Sequence, residues 1–113
     1  MEKLLEPSRE LVSLISREVD FKDRLIGSNL HERTGVKTIS LYSLRELYML
    51  LNTPYPQIDL HKMESWIRMV IRDEELAARI KTFLEQPGSD LEKLLHMRDL
   101  IGFRLIQCRT EDS

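Results

Sequence analysis

The sequence predicts an all-α protein, a small bundle of four to five amphipathic helices forming a single domain over residues 1–113. Three observations point there. Apolar residues recur at three- and four-residue steps along most of the chain. The periodic stretches are separated by short breaks rich in Gly and Pro, at Gly27, at Pro54 and Pro56, and at Pro87-Gly88. No clear run alternates apolar and polar residues in the way that marks a half-buried strand.

The first helix is expected near 8–26, where Leu11, Leu14, Ile15, Val19 and Leu25 define one face and Gly27-Ser28-Asn29 supplies the stop. Residues 28–39 are polar, include HERTGVKT and show no period, which makes them a loop with room for a short strand. The second helix is expected near 41–52: Ser43 and Glu46 have capping-box spacing, and Leu44, Leu47, Tyr48 and Leu51 form its stripe. The stiff turn Asn52-Thr53-Pro54-Tyr55-Pro56 follows. Asp59 is a good N-cap for a third helix near 59–72, with Ile58 and Met63 spaced as a hydrophobic staple. Met63, Trp66 and Met69 sit at helical spacing and are assigned to the core. A fourth helix near 74–86 carries Leu76, Ile80, Phe83 and Leu84, and Ser89-x-x-Glu92 opens a fifth near 90–108, after which RTEDS is expected to fray.

Composition bounds the function. Seventeen basic and nineteen acidic residues give a net charge of −2, so no global field draws the chain to phosphate backbones, and nucleic acid is an unfavoured partner. The second and third helices imitate a helix-turn-helix, yet the third begins Asp59-Leu60-His61-Lys62, a poor reader of base edges. No apolar run approaches the roughly 20 residues that span a bilayer, so no membrane partner is expected. The start MEKLLEPSREL carries acids where a secretion signal is basic, and Cys108 is the only cysteine; a cytoplasmic location is expected. The last helix carries Leu94, Leu95, Met97, Leu100, Ile101, Phe103, Leu105 and Ile106 around most of its circumference. Such a helix is sandwiched either inside its own bundle or against another subunit, and a homo-oligomer, dimer or tetramer, is the expectation.

From Glu74 to Gln107 the sequence EELAARIKTFLEQPGSDLEKLLHMRDLIGFRLIQ places paired acids at a helix start, then a polar turn, then a helix bearing Asp99. This segment resembles the all-α nucleotide pyrophosphohydrolases, the superfamily of MazG, phosphoribosyl-ATP pyrophosphohydrolase and dimeric dUTPase. The resemblance implies magnesium held over a nucleoside triphosphate by an E-E-x-x-E motif on one helix and E-x-x-D on the next, with release of pyrophosphate. Glu74, Glu75 and Asp99 match three of these acids. Ala78 stands at the third acid of the first motif and His96 at the Glu of the second, where an imidazole is a replacement ligand better suited to zinc, manganese or iron than to magnesium. Arg72 and Arg79 flank the paired acids and are the candidate phosphate contacts. The residues by themselves leave two other readings open. Glu74 and Glu75 can simply decorate a helix N-terminus while Asp99 pairs with Arg98 or Arg104. With two acids missing, the resemblance implies a divergent member that hydrolyses weakly, binds a nucleotide without turnover or is inactive; the other reading is a non-enzymatic helical oligomerisation or protein-interaction module.

Overall fold

The computed structural model describes residues 4–31, 33 and 35–112, apart from the side chains of 31 and 110–112. The chain runs α1 (Arg9–Ser16), a 3-10 turn (Phe21–Asp23), β1 (Leu25–His31), β2 (Gly35–Leu41), α2 (Leu44–Leu51), β3 (Pro56–Gln57), α3 (Leu60–Trp66), a π-helical turn (Ile67–Ile71), α4 (Glu74–Glu85) and α5 (Asp90–Asp112). Among the described residues five α-helices accompany a three-stranded antiparallel sheet in the order β2-β1-β3, so the protein is mixed α/β and the all-α expectation is corrected.

The correction falls on residues 17–41. The helix expected near 8–26 ends at Ser16, and Val19 donates its N–H to Tyr42 O at 2.7 Å, so the chain is already extended there. Gly27 does not terminate a helix. It lies inside β1, where an added Cβ would run into Leu50 Cδ2 and sit 3.5 Å from Gln57 O, so the glycine lets the strand pass close over α2. The loop expected over 28–39 is mostly strand: β1 and β2 pair from Leu25↔Leu41 to His31↔Gly35, with Gly35 at φ 76° closing the turn. Glu32 and Thr34 of that stretch lie outside the described residues. Burial along β1 does alternate, but hydropathy does not. Leu25, Gly27 and Asn29 face inward while Ile26 and Leu30 face out. A strand that buries a glycine and an asparagine and exposes its aliphatic residues carries no period-2 signal.

The sheet's third strand falls at Pro56–Gln57, beside the expected stiff turn, and the helix expected near 59–72 gives way to a π turn after Trp66, but the helix starts follow their local sequence. Ser43 Oγ accepts from Glu46 N, and the Glu46 carboxylate accepts from Tyr42 N at 2.9 Å, one residue earlier than a standard capping box. Asp59 accepts from the amides of His61 and Lys62, and these bonds hold its carboxyl below the ordinary value. Ser89 Oγ accepts from Glu92 N. The helix expected to end at 108 continues to Asp112, and Ser113 lies outside the described residues.

Helix α5 packs against α1, α2 and α4, which makes it the central helix of its own chain. Leu94, Met97, Ile101 and Cys108 are buried, Leu100, Phe103 and Leu105 are partly covered, and Leu91, Leu95 and Ile106 stay exposed. Its broad apolar surface, the basis for expecting an oligomer, is therefore covered largely from within the chain. Among the described residues no helix is long and apolar enough to cross a membrane.

Candidate functional site

The feature that organises the molecule chemically is the junction between α3 and α4. After Trp66 the backbone widens into the π turn, closed by Arg72 N to Ile67 O at 2.8 Å. The Arg17 guanidinium donates to Val70 O at 2.6 Å and ties this turn to the end of α1. Arg72 then adopts φ 74°, a left-handed conformation uncommon for a side chain of its size, and reverses the chain into α4. Asp73 caps α4 by accepting from Leu76 N at 3.1 Å.

Arg104 reaches this junction from α5 and is only 1% exposed. Its Nε lies 2.8 Å from Asp73 Oδ2, and its Nη2 lies 2.7 Å from Glu75 Oε1. Nη1 donates to Leu5 O at 2.7 Å and to Gln107 Oε1 at 2.9 Å. The Glu75 carboxylate in turn accepts from Leu5 N, and Gln107 Nε2 donates to Leu4 O at 3.0 Å. One buried guanidinium, hydrogen-bonded through both Nη atoms and ion-paired to Asp73, thus clamps the N-terminal segment, the start of α4 and the middle of α5. Burial raises the Asp73 carboxyl above its ordinary value, against the opposing pull of Leu76 N–H and Arg104.

Above this clamp runs an open groove of about 670 Å³, within the range of about 300–1,000 Å³ common to binding pockets. One wall is the N-terminal segment and α1, with Leu5, Leu11 and Leu14; the other is the π turn and the start of α4, with Met69. Leu5 is 74% exposed and Met69 is 69% exposed. Met69 was expected in the core; Met63 and Trp66 are there, with Trp66 Nε1 donating to Asp23 O at 2.7 Å, but the π turn leaves Met69 facing solvent. Widening the helix by one residue per turn rotates every later position, which period-based reasoning cannot anticipate.

Of the six residues singled out from the sequence, Arg72, Glu74 and Glu75 line this groove, and Arg79, His96 and Asp99 do not. Glu75 is engaged by Arg104 and by the Leu5 amide. Asp99 is 72% exposed and pairs with its neighbour Arg98 at 3.2 Å. His96 stacks on Phe83 with ring centroids 5.4 Å apart. Among the described residues no group of three or more His, Cys, Asp or Glu side chains is gathered so as to hold a metal ion. Sequence reasoning missed Arg104, Gln107 and Met69. For Arg104 a signal existed: a lone arginine amid the apolar run of the last helix must find acids if it is buried.

Comparisons with protein-family models, curated proteins and solved structures find no match to this chain.

Proposed function

We propose that the chain is a non-enzymatic protein-interaction module whose docking surface is the groove between α1 and the α3–α4 junction. The observation that carries this reading is the exposure of Leu5 and Met69 on facing walls of an open groove. Apolar side chains held out to solvent on opposite walls are usable binding surface. The charged groups beneath them, Arg104 and Asp73, are buried and paired with each other, which leaves a substrate little to engage. A nucleotide fits this groove poorly. The N-terminus of α4 would attract phosphate, but Asp73, Glu74 and Glu75 already crowd it with negative charge.

Amide chemical-shift mapping separates the docking reading from the pyrophosphohydrolase one. A neutral amphipathic peptide, with leucines at helical spacing and glutamines elsewhere, should perturb Leu5–Leu14 and Arg68–Glu75. Magnesium with a nucleoside triphosphate should leave Glu74, Glu75, His96 and Asp99 unmoved. Shifts at those four residues together, with pyrophosphate released, would overturn the proposal in favour of a live hydrolase site.

A further inference from the structure

We infer that the occupant of the groove is a cationic amphipathic helix of a partner protein, which lays its apolar face on Leu5, Leu11, Leu14 and Met69 and its Lys or Arg residues along the rims. This rests on the docking reading above and adds the chemistry of the partner. Charge is the argument. Glu6 and Glu10 stand exposed on the N-terminal wall and Glu74 on the α4 wall, all three lining the groove. Beneath them Arg104 is paired with Asp73 and Glu75, so the floor presents no unpaired positive charge to offset the acids of the rims. Of the groove's other guanidiniums, Arg68 is bonded to Glu64 at 2.9 Å. Arg72 is the one without an ion pair among the described residues. Acids on both walls flanking apolar residues match a helix with one apolar stripe and basic flanks, the helix-in-groove mode of recognition. Opposed rim charges select the partner and speed its arrival more than they tighten the complex.

Three helical peptides of about 14 residues, roughly 21 Å long, test this, with the same leucine stripe and flanks of Lys, Gln or Glu. Binding to the intact chain is read by fluorescence anisotropy at low ionic strength and located by amide shifts. The Lys peptide should bind about tenfold more tightly than the Glu peptide, since two or three exposed pairs each add modestly and their effects combine. Glu10→Lys and Glu74→Lys should each reduce that preference severalfold, and salt should erode it. Equal affinity for all three peptides, or preference for the Glu peptide, would overturn the cationic assignment while leaving a docking groove. Failure of all three to perturb the groove would overturn the docking reading too. Sedimentation of the chain alone covers the remaining occupant: a dimer dissociated by Glu74→Lys would show the groove filled by a second copy and overturn the assignment.

Discussion

At the scale of single residues, the strongest expectation concerns Arg104. Removing one partner from a buried ion pair leaves the other uncompensated, which typically costs about 3–5 kcal/mol. Arg104→Met should therefore be severely destabilising, through Asp73 above all, because Asp73 is fully buried and Glu75 is partly exposed. The pH dependence follows from the raised Asp73 carboxyl. A carboxyl whose folded value lies above its unfolded one holds a proton that it releases on unfolding, so its contribution to stability falls as pH rises through the interval between the two. Losing Arg104 removes an influence that lowers Asp73, widening that interval upward. Denaturant melts should accordingly show a larger Arg104→Met deficit at neutral pH than in mild acid; a deficit independent of pH would mean that Asp73 is not the group left unpaired. Gly102 gives a second test. Its added Cβ would lie 2.8 Å from Tyr48 Cε1, against a rigid ring. Alanine gains up to about 1 kcal/mol of helix propensity there, but forcing a methyl into a packed site costs about 1–3 kcal/mol. Thermal melting should place Gly102→Ala below the parent, and a rise would show that the ring moves aside freely.

Among the elements, those with local signals were readable and those made by tertiary contact were not. Asp59, Ser43 and Ser89 announce their helices because capping is a matter of neighbouring residues. The start of α4 was readable through its paired acids, Glu74 and Glu75, which suit a helix N-terminus, and the Asp73 cap was not. The hairpin was hidden because β1 buries Gly27 against Leu50, a residue more than twenty positions away, and turns Ile26 and Leu30 outward. Nothing local distinguishes that glycine from a helix stop. The π turn was equally silent, and with it the exposure of Met69. Hence the groove was half visible, through Arg72, Glu74 and Glu75, but its apolar walls and the Arg104 clamp were not. The sheet carries its own expectation. β2 is an edge strand whose face presents Val36 beside Leu30 of β1, and such an edge invites pairing with other chains. Lys37 is the charged residue of β2 that opposes this. Lys37→Val should leave the melting temperature nearly unchanged yet raise light scattering on concentration; unchanged scattering would mean that the edge is protected by other means.

As a whole, the molecule divides into a scaffold and a surface. The scaffold is the core around α5, closed at one end by Arg104 holding the N-terminal segment to α4. The surface is the groove that this closure shapes, where Leu5 and Met69 stand exposed and form the proposed docking face. Met69 is where the two roles are most cleanly separable, being 69% exposed on the groove wall. The most direct test is the affinity of the leucine-striped peptides for Met69→Asp, measured alongside its thermal melt. Melting should match the parent while peptide affinity falls at least tenfold, the loss of roughly 1.4 kcal/mol. Undiminished affinity, or a collapse of the melting temperature, would contradict this division: the first by placing the docking surface elsewhere, the second by making Met69 part of the core.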